Sequence, residues 1–202
     1  MKSPMRFLGV TAAPLRAVCR RVFAEYPLEE RQAWEAAIRE LWFAAEYREE
    51  RYAALELAGA SRYKAHRTLE MLPLWEELIV SGAWWDLVDG LASHEVGELV
   101  RDYPERMKHT MLAWAGNRDL WKRRTAIICQ IGSKDATDLE LLYGAIEPNR
   151  GDTTFWIRKA IGWALRSYAW TNPDEVRRYV AEHEAGLSGL SKREALVNLS
   201  GA

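Results

Sequence analysis

The sequence predicts an all-α chain: a right-handed α-solenoid of helical hairpins whose equivalent helices line one concave face. Three observations carry this. Apolar residues recur at three- to four-residue spacing along the whole chain, the period of a helix with one buried face. Turn-forming residues interrupt that pattern at short intervals. Similar segments also return at intervals of 37, 36, 35 and 35 residues, opening at Arg48, Trp85, Trp121, Trp156 and Ser191. A period of this size is one helical hairpin per unit, slightly shorter than a typical HEAT repeat. An ordinary helical bundle with accidental spacing is the alternative. Strands find no support, because period-2 alternation is missing and no Asn-Gly or Asp-Gly pair joins β-branched runs.

The elements follow in order. Pro14 suits the first turn of a helix through Leu15, Val18, Cys19, Val22 and Phe23. Trp34, Ala37, Ile38, Leu41 and Trp42 form the next stripe, and Ala53, Ala54, Leu57 and Ala58 a small-residue face. Leu74, Leu78 and Ile79 lead to a break at Ser81-Gly82. Later breaks fall at Tyr103-Pro104, Gly116-Asn117, Gly132-Ser133, Pro148 to Gly151, Thr171 to Pro173 and Gly186 to Gly189. Asn117, Ser133, Asp152, Asn172 and Ser191 stand where helix N-caps are expected. The pattern gives about eleven helices of roughly 10–18 residues. All 202 residues are read as a single repeat domain.

Composition narrows the function. With 49% hydrophobic residues, 28% charged residues and a net charge of −1, the chain is neither disordered nor uniformly basic. Between Arg106 and Arg193 there are 15 Lys/Arg against 10 Asp/Glu, while the remainder carries 13 against 19. That asymmetry permits a basic face without establishing one. Two cysteines and four scattered histidines make neither a disulfide framework nor a four-ligand zinc site, and no cofactor or metal is expected. No apolar run approaches the ~20 residues of a membrane span, and Met1 to Val10 lacks a signal-peptide core. A soluble, cytoplasmic monomer without membrane attachment is the expectation. The unusual number is Trp, at 10 residues, since indoles serve cores and also bind sugars, bases and cations.

The most distinctive block is Trp84-Trp85-Asp86-Leu87-Val88-Asp89. Trp85 and Asp89 are four apart and share a helical face, as do Lys159 and Trp163. Trp121 and Arg124 open the equivalent segment in between, and Arg166 follows Trp163. Lining one groove, these residues would offer cations to phosphates and indoles to sugars or bases. A carboxylate in such a groove would weaken DNA binding and so needs a chemical reason. The bland alternative makes the indoles core and the charges solvated surface. Phosphate-binding loops, dinucleotide fingerprints and zinc-protease motifs are missing. Cys129 lies in an apolar run and reads as core, and His66, His94, His109 and His183 read as isolated surface residues.

These residues resemble the HEAT-like DNA alkylation repair glycosylases of the AlkD type. The matching blocks run nearly the whole chain in order: Phe7-Leu-Gly-Val10, Ile38-Arg-Glu-Leu-Trp42, Leu74-Trp-Glu-Glu-Leu-Ile-Val80, Trp84 to Asp89, Leu120-Trp121 and Arg124-Thr-Ala-Ile127. They continue through Ile157-Arg-Lys-Ala-Ile-Gly-Trp163, Leu165-Arg166, Thr171-Asn-Pro173 and Leu190-Ser-Lys-Arg-Glu-Ala195. The resemblance implies hydrolytic excision of cationic N3- and N7-alkylated purines from double-stranded DNA. It implies Asp89 as the catalytic carboxylate, Trp85 and Trp163 as the indoles against the sugar, and Arg124 as the DNA-clamping residue. Arg166 carries over as a backbone contact, with Lys159 and Trp121 on the same expected DNA face. The chemistry suits them. A positively charged base leaves without protonation, so one carboxylate can stabilise the oxocarbenium-like sugar and guide the attacking water. The sequence departs from the family's pattern at the front, where only Met1 to Arg6 precede the Phe7 block, so a shortened N-terminal cap is expected. The competing function is a HEAT-like module that binds DNA or protein without catalysis.

Overall fold

The computed structural model describes residues 5–199. Helices are the regular elements throughout, and the single β-bridge among the described residues joins Arg6 to Tyr47. The chain forms two compact units, Met1–Leu74 and Trp75–Ala202, with the division inside one helix.

The first unit contains α1 (Ala12–Glu25), α2 (Arg31–Phe43) and α3 (Arg48–Ala58), followed by 3₁₀ turns at Ser61–His66 and Leu69–Met71. The α2 stripe is buried as its spacing predicts, at Trp34, Ile38 and Trp42. The Trp34 indole N–H, which needs an acceptor once buried, donates to the Leu57 carbonyl at 3.1 Å. The N-terminal strap is fastened electrostatically. Glu49 is buried, and its carboxylate accepts the amides of Leu8, Gly9 and Val10 at 3.0, 2.9 and 3.2 Å. These charge-assisted bonds hold the Glu49 carboxyl below its usual range despite the opposing cost of burial. The α1 stripe behaves otherwise: only Cys19 is buried, while Val18 and Val22 lie exposed.

α4 (Leu72–Gly82) leads into the second unit. There α5 (Trp85–Leu91) passes through a π-helical turn, Ala92–Val96, into α6 (Gly97–Asp102). α7 (Pro104–Ala115), α8 (Leu120–Ile128), α9 (Leu139–Ile146), α10 (Phe155–Ala169), α11 (Pro173–Glu182) and α12 (Gly189–Leu196) complete it. α5, α8, α10 and α12 pack side by side in succession as one layer. α7 and α9 pack together in a second layer, with α7 against α8 and α11 against α10 and α12. This is the layered hairpin plan of an α-solenoid. The four helices of the first layer begin within two residues of the recurrent segments at Trp85, Trp121, Trp156 and Ser191.

Two glycines mark close approaches within the second unit. A Cβ on Gly97 would lie 2.8 Å from the Cys129 carbonyl, and one on Gly162 would lie 2.3 Å from the Glu194 Cβ. Several caps differ from expectation. Asn172 caps α11, but Asp119, Asp138 and Ser188 cap α8, α9 and α12. Asn117 and Asp152 act two residues before a cap, accepting the amides of Asp119 and Thr154. Ser191 is buried inside α12, where its hydroxyl donates to the Arg158 carbonyl. The described residues hold twelve α-helices of 6–15 residues, more and shorter than expected, because the π turn separates α5 from α6.

Candidate active site

The site lies within the second unit, where α5, α8 and α10 meet. Asp89 occupies the last turn of α5, one turn after Trp85, so both side chains leave the same face. From α8, Arg124 meets the Asp89 carboxylate with a two-pronged grip: Nε donates to Oδ1 and Nη2 to Oδ2, each at 2.7 Å. Its Nη1 donates to the Trp156 carbonyl at 2.5 Å, at the start of α10. One guanidinium therefore ties three helices together. It is almost fully buried, with 5% of its side chain exposed against 14% for Asp89.

Electrostatics at Asp89 are opposed. Desolvation pushes its carboxyl above the ordinary range, the Arg124 hydrogen bonds and charge pull it back, and nearby Asp86 adds to the rise. The two-pronged geometry favours the anion, since each oxygen faces a guanidinium donor. The result is a desolvated, ionised and relatively basic carboxylate. Ser93 in the π turn donates to the Asp89 carbonyl at 2.6 Å, supporting the turn where the ladder changes register.

Around this pair stand the indoles. Trp156 is their centre, with ring centroids 6.5 Å from Trp85 in a stacked arrangement, 5.8 Å from Trp84, 6.1 Å from Trp121 and 5.0 Å from Phe155. Its ring also lies 5.9 Å from the Arg124 guanidinium carbon. Trp85 remains 37% exposed beside Asp89, which leaves an indole face available to a ligand. Trp121 is buried beside Trp156, which leaves little of its ring for a ligand.

A family model for the "DNA alkylation repair enzyme" matches residues 1–199. The chain belongs to the DNA alkylation repair enzyme family. Among solved structures it is similar to a predicted DNA alkylation repair enzyme from Enterococcus faecalis, at 30% identity and a TM-score of 0.83. That match covers 98% of this chain and 90% of the other. A search of curated proteins finds no match.

In this family member the structure brings together Asp89, Arg124, Trp85 and Trp121, and sets the other expected residues further along α10. Trp156, Lys159, Trp163, Arg166 and Trp170 follow one another at three and four residues, so they form one stripe down that helix. Trp163 is two turns, about 10 Å, beyond Trp156. Lys159 and Arg166 both pair with Glu194 of α12, at 2.8 and 2.9 Å. Asp89, Arg124, Lys159 and Glu194 are each 35 residues apart, so one charged residue per repeat crosses the four helices in the order −, +, +, −.

Trp156, Glu194 and Trp170 are not among the site residues expected from sequence. Trp156 was legible as the aromatic opener equivalent to Trp85 and Trp121, and Trp170 as the third indole at seven-residue spacing. Glu194 becomes significant only once the repeat period is laid over the helix order. Arg123, next to Arg124, instead fastens loops, donating to Asp152 at 2.8 Å and to the Asn117 carbonyl at 3.3 Å. Cys129 is core as expected, its thiol pushed up to about 12 by burial. The histidines are less isolated than their spacing suggests, since His66 stacks with Tyr63 and His183 with Tyr179. Among the described residues no group of three His, Cys, Asp or Glu is placed to hold a metal ion. Nor is any helix among them long and apolar enough to cross a membrane.

Proposed function

We propose that this protein is a monofunctional DNA glycosylase that hydrolyses the N-glycosidic bond of cationic N3- or N7-alkylated purines in duplex DNA. The observation that carries this reading is the desolvated Asp89 carboxylate, held ionised by Arg124 beside the half-exposed Trp85. In the reaction the C1′–N bond breaks and its electron pair leaves with the base, which becomes neutral. The sugar gains oxocarbenium character as that bond lengthens. Asp89 stabilises this charge in a site of low effective dielectric, and the Trp85 indole adds cation–π attraction. Water adds at C1′ and loses its proton to the carboxylate; each Asp89 oxygen keeps a lone pair beyond the one Arg124 uses. No group is needed to protonate the departing base, because it is charged from the start.

Arg124 takes a different part from the one its family position implies. With its side chain buried and each of its three nitrogens donating at 2.5–2.7 Å, it orients Asp89 and anchors Trp156 rather than reaching outward to a phosphate. The same buried, inward-facing contacts favour a second reading, in which the pair is a structural clasp of a non-catalytic duplex-binding module. Asp89→Asn separates the two. The amide keeps one hydrogen bond from Arg124 but loses the charge. We expect excision of 7-methylguanine to fall at least about a hundredfold, with duplex affinity retained. A variant that excises at the wild-type rate excludes Asp89 from the chemistry.

A further inference from the structure

Glu194 is an acidic residue between Lys159 and Arg166, two cations that the family resemblance puts on the expected DNA face. Its two oxygens are divided between Lys159 and Arg166, seven residues and about 10 Å apart along α10. Both cations lean toward one carboxylate. The helices touch at Gly162, where any side chain would collide with the Glu194 Cβ and crowd the Ser191 carbonyl, so Glu194 is held directly over the gap between the cations. Exposure is partial: 36% for Lys159, 29% for Arg166 and 21% for Glu194. Beside the cations runs the indole row of the α10 stripe, ending at Trp170, which is 76% exposed. Cations alternating with indoles match a sugar–phosphate backbone, phosphate to cation and sugar or base to ring. In the free protein an internal anion fills the cationic positions.

We propose that Glu194 is an internal surrogate for a DNA phosphate, competing with the backbone for Lys159 and Arg166 and thereby limiting affinity for undamaged duplex. This rests on the glycosylase reading and extends it from the reaction centre to the selection of DNA. The three charges sum to +1. A phosphate must displace the carboxylate or share the cations with it, and ion pairs of this exposure yield readily to a competing anion. A repair enzyme searching a large excess of normal DNA gains from such a brake, because tight binding to every backbone would slow the search.

The test measures affinity for an undamaged duplex against salt concentration for the wild type and Glu194→Gln. The glutamine is nearly isosteric and can still accept a hydrogen bond from one cation. We expect Glu194→Gln to bind about tenfold more tightly at low salt, with a log–log salt dependence steeper by about 1 to 2, one or two further phosphates being neutralised. Lys159→Met should then cost more affinity in the Glu194→Gln background than in the wild type, a non-additivity that a purely structural pair would not give. Thermal unfolding of each variant establishes that α10 and α12 remain packed. If Glu194→Gln loosens them, the comparison of Lys159→Met with wild type decides: a large affinity loss on its own shows Lys159 already free for DNA and overturns the proposal. Unchanged affinity and slope in Glu194→Gln, with wild-type excision present, overturns the surrogate role and leaves the glycosylase reading standing. A wild type that neither excises the lesion nor binds duplex overturns both.

Discussion

Arg124→Ala tests the centre of the account, because its effect should depend on pH in a direction fixed by the site. The substitution removes two charge-assisted hydrogen bonds to Asp89 at 2.7 Å and one to the Trp156 carbonyl at 2.5 Å. It leaves a carboxylate with 14% of its side chain exposed and its bridging cation gone. Removing one partner of a buried pair costs about 3–5 kcal/mol, and the residual exposure of Asp89 places the expectation near about 3 kcal/mol at neutral pH. The Asp89 carboxyl is already raised above its ordinary value by desolvation, and Arg124 supplies the main opposing pull. Without Arg124 it rises further. A carboxyl whose folded pKa exceeds its unfolded value favours the native state when protonated, and that advantage is lost as pH rises through the folded pKa. The stability difference between wild type and variant should therefore be largest at neutral pH. It should shrink on acidification by about 1 kcal/mol per pH unit over the range in which Asp89 is protonated in the variant alone. Urea unfolding of both proteins at a series of pH values from 7 downward measures it. A loss below about 1 kcal/mol at pH 7, or a loss that stays the same across the whole series, would refute the reasoning.

Two further perturbations probe the surroundings. Trp156→Ala removes the ring that contacts Trp84, Trp85, Trp121 and Phe155 but keeps the carbonyl that accepts from Arg124; we expect about 2–3 kcal/mol of destabilisation by urea unfolding, and excision slower by about tenfold or more as Trp85 loses its support. Glu49→Gln should cost about 1–3 kcal/mol at neutral pH by loosening the strap at Leu8 to Val10. Because the folded Glu49 pKa is depressed, its contribution is present above the unfolded value and lost as pH falls through the folded one. Melting temperatures of Glu49→Gln and wild type should converge on acidification below that range, and a constant gap would contradict the assignment.

Much of this arrangement was readable before any coordinates, for identifiable reasons. Repeat packing translates a sequence interval into a spatial neighbour, so the recurrence from Trp85 to Ser191 already named the helices of one layer. The i, i+4 pairing of Trp85 and Asp89 needed only helical geometry. What escaped was whatever depends on two helices meeting at a particular depth. The capping shifts at α8, α9 and α12 arose because several polar residues compete within each loop, and backbone geometry selects among them. The burial of Arg124 could not be read from its charge, which by itself suggests a surface residue. The contact of Glu194 with both Lys159 and Arg166 depends on the close approach of α12 to α10 at Gly162, which the repeat period alone does not reveal. The α1 stripe shows the converse, since periodicity identifies an apolar face but not whether anything covers it.

The measurement closest to the central claim is product analysis after incubating the wild-type protein with a defined duplex containing a single 7-methylguanine. Mass spectrometry of both products distinguishes the possibilities. A glycosylase releases intact 7-methylguanine as a free base and leaves an abasic site in an unbroken strand, and this is the expected result. Ordinary guanine restored in the strand, or an unaltered lesion in a duplex that the protein still binds, would contradict it.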